Sequence, residues 1–249
     1  YKRQRVYLDA TLPEVHAEGG SFAWVDYVGE MLVDSVELEI GGQRIDKQYG
    51  DWMHIWNQLS LPVGLQHGYK LMVGQNAARL ACEEQYGCAE VDPACNLQHA
   101  TNHVGSYKVH VPLQFWFCTN PGLALPLIAL QYHEVKLIVQ FRQFDHLYST
   151  GCGGDNNVRL NGGSSVHLQD ASLFIDYIYL DTDERRRFAQ QPHEYLITQL
   201  QFTGEESVNG SSQKLKLNFN HPTKELVWVV QSCLLYTSPS PRDGLLSRM

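Results

Sequence analysis

The chain has 249 residues, of which 43% are hydrophobic and 18% are charged, and its formal net charge is −8. This length suits one large β domain or two small domains, and the small fraction of charged residues suits a protein that covers its surface with neighbours. The negative charge repels phosphates, which argues against nucleic-acid binding. No apolar run is long enough to span a bilayer.

The first clear element is a strand in which Val36, Leu38 and Ile40 alternate with polar residues. This period of two buries one face of a sheet. Gly41-Gly42 follows it and predicts a tight hairpin turn, because glycine adopts positive φ values readily.

One short helix is predicted near residues 51–60. Asp51 is its expected N-cap, and Pro62 is expected to end it. Residues at i, i+3, i+4 and i+7 form one apolar stripe, which is expected to pack against a sheet. The stripe comprises Trp52, Ile55, Trp56 and Leu59.

Strand patterns dominate the rest of the chain. Residues 62–106 show no clear period and are predicted to be an irregular loop, and a Gly/Asn-rich loop is predicted at about 146–165. Alternating or apolar runs predict strands at 109–117, 135–141, 172–180, 196–202, 215–219 and 226–230. Many strands and one helix predict an all-β sandwich or barrel.

A polar stretch divides the chain. Residues 1–182 are predicted to be the first domain, 183–195 a linker, and 196–232 the start of a second domain. Asp181 is a candidate cap for a short helical turn at the linker. Residues 233–243 match the translation of a sequencing adaptor, so 233–249 are predicted to be adaptor read-through, the alternative being a natural Ser/Pro-rich tail. Both natural termini are therefore expected to be missing.

The loop at 62–106 holds the only metal-ligand candidates, which are Cys82, Cys88, Cys95, His99 and His103. Only the two histidines have the spacing of a zinc knuckle, so free, reduced thiols and no metal are the preferred interpretation. No phosphate-binding glycine loop or catalytic signature is present. The sequence therefore predicts a protein that is not an enzyme and has no cofactor.

Three segments resemble the major capsid proteins of nucleocytoplasmic large DNA viruses, the iridovirus and phycodnavirus group. The first is VELEIGGQRIDKQYGDWMHIWNQL at Val36–Leu59, and the second is VPLQFWFCTNPGLALPLIALQYHEV at Val111–Val135. The third lies in Asp176–Val230 and includes LDTDERRRFAQQPHEYLITQLQFTGEES and KLKLNFNHPTKELVWVV. The resemblance extends over most of residues 20–231.

This resemblance implies a double jelly roll, with the first jelly roll nearly complete and the second only begun. It also implies a structural protein that forms homotrimeric, pseudo-hexagonal capsomers of an icosahedral shell over an inner membrane. The implied partners are neighbouring capsomers and minor capsid proteins, with no direct nucleic-acid contact and no membrane insertion. The implied location is the virion, after assembly in the host cytoplasm.

Two other classes remain as alternatives. A jelly-roll carbohydrate-binding module needs exposed aromatic side chains, and the predicted loops offer Tyr69, Tyr86 and Tyr148 but no tryptophan. A metal-dependent cupin-type enzyme needs a tight cluster of histidines and carboxylates on strands, which the sequence does not show. Fold alone does not decide among these functions.

Overall fold

The computed structural model describes residues 5–18, 22–74, 103–150, 159–163, 166–208, 212 and 214–230. Its strands are β1 Val6–Leu12, β2 Val15–Glu18, β3 Phe22–Trp24, β4 Val33–Ile40, β5 Gln43–Tyr49, β6 His103–Val104, β7 Tyr107–Pro112, β8 Val135–Phe141, β9 Tyr148–Thr150, β10 Arg159–Leu160 and β11 Asp170–Ile175. Its helices are α1 Val28–Leu32, α2 Gly50–Ser60, α3 Val63–Val73, α4 Trp116–Thr119 and α5 Thr182–Gln190.

Two three-stranded antiparallel sheets form the body of the fold. Their strand orders are β11-β1-β7 and β5-β4-β8. One apolar cluster contains Leu8 and Val111 from the first sheet together with Val36 and Leu38 from the second, so the two sheets share a core. Two smaller sheets, β10-β2-β6 and β3-β9, extend the structure. The prediction of a layered β fold is confirmed.

The hairpin between β4 and β5 forms as the sequence predicts. Val36 and Leu38 are fully buried, and Gly41 and Gly42 have φ values of 61° and 80°. Positive φ at both central residues matches the right-handed twist of the paired strands. The hairpin places Tyr49 directly before α2, and thereby positions this helix against the sheet.

The prediction of a helix near 51–60 is confirmed by α2, which ends at Ser60 just before Pro62 as expected, but the expected N-cap is wrong. The side chain of Asp51 makes no cap hydrogen bond; it accepts two hydrogen bonds of 3.2 Å from Arg142 instead. Pro62 precedes the first turn of α3 with φ −59°, a conformation that suits a helix start. The expected loop at 62–106 therefore begins with a helix of eleven residues.

The expected strand at 109–117 is too long. β7 ends at Pro112, and residues from Trp116 form the short helix α4. Phe115, Trp116 and Phe117 are all buried, and the rings of Phe115 and Phe117 stack at 5.5 Å. Strand alternation would point Trp116 away from its neighbours, whereas a helical turn brings all three rings into the core.

The predicted linker contains a helix. The Asp181 carboxylate accepts a hydrogen bond from the Glu184 amide at 2.9 Å and caps α5, as the sequence predicts. The structure assigns no strand to residues 192–208 and 214–230, so the strands expected at 196–202, 215–219 and 226–230 do not form. An extended segment becomes a strand only when a neighbour completes its hydrogen-bonded ladder.

Candidate assembly surface and polar clusters

The apolar stripe of α2 faces away from the core. The buried residues of this helix are Gly50, Met53, His54 and Asn57, whereas Leu59 is 57% exposed. Trp52, Ile55 and Trp56 are half-buried, and the two indoles stack with 5.6 Å between their ring centroids. The expectation that this stripe packs against a sheet is wrong, because the opposite stripe does so.

Helix α3, which begins three residues after α2 ends, also exposes apolar side chains. Val63 is 83% exposed and Leu65 is 60% exposed, whereas Tyr69 and Val73 are the buried residues of this helix. We define the outer helical face by the exposed or half-buried apolar side chains that precede and follow the turn between α2 and α3. Its members are Trp52, Ile55, Trp56, Leu59, Val63 and Leu65.

A buried carboxylate joins three helices. Glu30 of α1 is fully buried, and its Oε2 lies 2.6 Å from Nδ1 of His54. Its Oε1 accepts hydrogen bonds from Asn57 Nδ2, at 2.8 Å, and from the Tyr69 hydroxyl. Burial and the negative charge of Glu30 raise the pKa of Tyr69 well above its ordinary value, so this hydroxyl remains a hydrogen-bond donor.

Further contacts tie this cluster to the core. Nε2 of Gln114 donates to Oδ1 of Asn57 at 2.7 Å. A Cβ atom added at Gly50, the first residue of α2, would overlap the backbone carbonyl oxygens of Val33 and Glu30, so this close approach requires glycine. Because side chains of α2 and α3 both bind the buried carboxylate of α1, the cluster fixes the three helices relative to one another.

The C-terminal segment lies along β5 through polar contacts. Oδ1 of Asp46, which is buried, accepts a hydrogen bond of 3.2 Å from the Leu200 amide. Burial raises the pKa of Asp46. The Gln199 side chain donates to the Ile45 carbonyl, and the rings of Tyr49 and Phe202 lie 5.2 Å apart. These contacts position the segment without a strand ladder.

Most of the metal-ligand candidates from the sequence lie outside the described residues, namely Cys82, Cys88, Cys95 and His99. His103 is described, on β6, and lies beside Glu14 and His16. Sequence reasoning missed these two partners, although Glu14 and His16 flank Val15 in the alternation of a strand.

Cys118 is a free thiol whose pKa burial raises to about 11, so it favours the protonated, unreactive form.

Of the three loop tyrosines considered for carbohydrate binding, the two that the structure describes pack against the protein. Tyr69 is buried, and the half-buried ring of Tyr148 stacks on Phe22 at 5.3 Å; Tyr86 lies outside the described residues. A half-open cleft of about 100 Å³, lined in part by Trp24 and Phe144, lies nearby. Small-molecule sites usually occupy about 300–1,000 Å³, so this cleft is small for a ligand.

Among the described residues, no helix has the length and apolar character needed to cross a membrane. Two family models match consecutive parts of the chain, which meet at the start of α5. Residues 4–181 match the major capsid protein N-terminus, and residues 184–240 match the large eukaryotic DNA virus major capsid protein.

Individual relatives agree with the family models. The major capsid protein of Phaeocystis pouchetii virus is 51% identical over 240 residues, which cover 91% of this chain and 46% of the relative. The major capsid protein of Paramecium bursaria Chlorella virus 1 is 42% identical over 229 residues, covering 88% and 45%. The chain thus spans less than half the length of these two relatives.

Solved structures show the same architecture. A quasi-atomic model of the PBCV-1 virus capsid superposes with a TM-score of 0.62 and 37% sequence identity, covering 89% of this chain and 47% of that one. The Faustovirus major capsid protein superposes with a TM-score of 0.58 at 12% identity, covering 74% and 51%. At that identity the likeness concerns the fold alone. The fold is therefore that of the viral double jelly-roll capsid proteins.

Proposed function

The chain belongs to the major capsid protein family of large eukaryotic DNA viruses, and on this premise we propose that it builds the wall of an icosahedral shell. Three copies associate into a capsomer of pseudo-hexagonal outline, and capsomers tile against one another. Homo-oligomers with closed symmetry are the usual way to build such a unit. Neighbouring capsomers and minor capsid proteins are the remaining proposed partners.

The observation that supports this proposal is the outer helical face. Exposed clusters of large apolar side chains on soluble proteins mark interaction sites, and aromatic side chains are enriched where proteins associate. The stacked pair Trp52 and Trp56 belongs to the α2 part of this face, and Val63 and Leu65 belong to its α3 part. We infer that a second copy of the chain covers this face in the capsomer.

The magnitude is consistent with one part of a larger interface. Burying a Val or Leu side chain that was exposed contributes about 1.5–3 kcal/mol, so Leu59, Val63 and Leu65 together supply about 4–9 kcal/mol. Association itself costs on the order of 4–15 kcal/mol. Contacts elsewhere in the assembled protein must therefore add to those of the outer helical face.

Charge substitutions on this face test the proposal. Val63→Glu and Leu65→Glu place charges on side chains that are already exposed, so the folded subunit tolerates them while the interface does not. In sedimentation velocity of the full-length protein, we expect the wild type to sediment as a trimer and both variants to shift toward monomer. Gln58→Glu is the matched control, since Gln58 is exposed on α2 but lies outside the apolar stripe.

Each outcome has a definite meaning. A trimer that both Val63→Glu and Leu65→Glu leave intact would exclude the outer helical face from the subunit interface. A wild-type protein that remains monomeric at high concentration would contradict the capsomer proposal itself.

We also propose that the protein resides in the virion after assembly in the host cytoplasm, and that its net charge of −8 keeps it from binding the genome directly.

A further inference from the structure

Two histidines and a glutamate meet at the exposed side of the β10-β2-β6 sheet. Oε1 of Glu14 lies 2.7 Å from Nε2 of His103 and 3.3 Å from Nε2 of His16. One potential ligand atom from each of the three side chains lies within 4.8 Å of the other two. The imidazole rings stack with 4.2 Å between their centroids. The three side chains thus direct one oxygen and two nitrogens toward a common point.

The strand register fixes this arrangement. Val15 and Ala17 are buried, so the alternation along β2 places Glu14 and His16 together on the exposed side. His16 is paired directly with His103 of β6 across the sheet. Backbone pairing therefore holds His16 beside His103, and Glu14 directly precedes the paired strand.

Asn161 clamps the backbone beneath the cluster. Its Oδ1 accepts a hydrogen bond from the His16 amide at 2.7 Å, and its Nδ2 donates to the Glu14 carbonyl at 3.3 Å. Asn161 adopts a positive φ of 49°, a conformation that few residues other than glycine and asparagine tolerate well. This second restraint fixes the backbone at both Glu14 and His16.

We propose that Glu14, His16 and His103 form a binding site for one divalent transition-metal ion, with zinc as the best-suited ion. Two imidazole nitrogens and one carboxylate oxygen are a donor set that zinc uses with water as its fourth ligand. At zinc–ligand distances near 2.0–2.1 Å, tetrahedral donors lie about 3.3 Å apart. The separations of 2.7 and 3.3 Å from Glu14 reach this geometry by small side-chain rotations.

The electrostatics favour a cation at this point. Glu14 offers a carboxylate oxygen between the two imidazole nitrogens, at 2.7 Å from His103 and 3.3 Å from His16. A metal ion replaces the imidazole protons that bridge to this carboxylate, because the nitrogens bind metal only when they are unprotonated. The proposed set shares only His103 with the cysteine-rich set that the sequence suggests, and it is independent of the proposed assembly function.

Calorimetric titration of the metal-stripped, full-length protein with zinc chloride tests the proposal. We expect saturable binding of one zinc ion per chain at this site. His16→Ala and His103→Ala each remove a ligand, so each is expected to weaken this binding by more than about tenfold, since even changes outside the ligand set cost about 10–100-fold. His110→Ala is the matched control, because His110 is also half-exposed and paired with a carboxylate, Asp9, at 2.6 Å, but lacks a third ligand.

Cobalt in place of zinc separates this site from the cysteines. A site of two histidines and a glutamate lacks the strong sulfur-to-cobalt charge-transfer absorption that thiolate ligands produce. Zinc affinity that is equal in the wild type and in His103→Ala would overturn the proposal. So would a thiolate charge-transfer band that accounts for all the bound cobalt.

Discussion

The cluster around Glu30 allows a quantitative test of what holds the first helices on the sheet. Glu30→Gln keeps the volume and shape of the side chain but replaces one carboxylate oxygen with an amide group that donates hydrogen bonds. His54 donates or shares a proton at one oxygen, and Asn57 and Tyr69 donate at the other. With its amide nitrogen toward Asn57 and Tyr69, the new side chain places a donor against donors inside a fully buried site. With its amide nitrogen toward His54, Nδ1 must accept, and the imidazole proton then sits on Nε2, a buried atom with no hydrogen-bond partner.

The expected cost follows from this geometry. The substitution loses the strong hydrogen bonds that a carboxylate accepts and leaves at least one buried donor without an acceptor, which together cost about 3–5 kcal/mol. A chain of 150–250 residues changes its melting temperature by about 2–4 °C per kcal/mol. Glu30→Gln is therefore expected to lower the melting temperature by about 6–20 °C.

A less buried glutamate, on strand β4, supplies the control. Glu37 of β4 pairs with Lys47 at 2.7 Å, but its side chain is 21% exposed, and pairs near the surface contribute about 0–1 kcal/mol. Glu37→Gln should therefore shift the melting temperature by less than about 4 °C. Thermal scans of wild type and both variants at one scan rate make the comparison. Equal, small shifts for Glu30→Gln and Glu37→Gln would refute the reasoning that the Glu30 cluster anchors these helices.

Further substitutions probe close packing and a charged cluster. Gly50→Ala creates an overlap with backbone oxygens and should lower the free energy of unfolding, measured by denaturant titration, by about 1–3 kcal/mol. Gly68→Ala on α3 has open space around its Cβ position and should raise the free energy of unfolding by about 0.5–1 kcal/mol. Burial raises the pKa of Asp9, but hydrogen bonds from His110 and Lys108 outweigh it and hold that pKa below its usual 3.8. Asp9→Asn should therefore lose about 1–3 kcal/mol in urea titrations at pH 7, a difference that is complete above pH 3.8 and shrinks as the pH falls through the lowered pKa.

Local patterns predicted local structure well. The period of two in β4, the Gly41-Gly42 turn and the helix that follows Tyr49 were all accessible, because each depends on neighbours within a few residues. Helix α3 was not, since its Gly64 and Gly68 lower helix propensity and its burial of Tyr69 and Val73 is a tertiary effect. The strands expected after residue 195 failed for the converse reason: their apolar pattern is present, but the described structure provides no partner strand.

The two polar clusters join residues that are far apart in the chain, and sequence reasoning did not find them. His103 and Glu14 are 89 residues apart in the chain, and Glu30 and His54 are 24 apart, so no spacing rule connects them. Only the fold brings the members of each cluster together. The alternation of Glu14, Val15 and His16 was a usable signal that two potential ligands share one face, but their partner on β6 required the register of the sheet.

Helix α2 shows why periodicity alone cannot orient an amphipathic helix in a protein that assembles. The period of 3.6 identifies the helix, yet either stripe can face the core when a buried partner satisfies polar groups. Here Glu30 binds His54 and Asn57, so the polar stripe is buried and the apolar stripe faces outward, where we propose that a neighbouring subunit covers it. The two stripes should therefore give separable phenotypes: Glu30→Gln lowers the melting temperature, whereas Val63→Glu, at the continuation of the apolar stripe, changes the oligomeric state of a subunit that remains folded. If Val63→Glu instead destabilised the isolated subunit as much as Glu30→Gln does, the apolar stripe would belong to the subunit's own core and not to the interface.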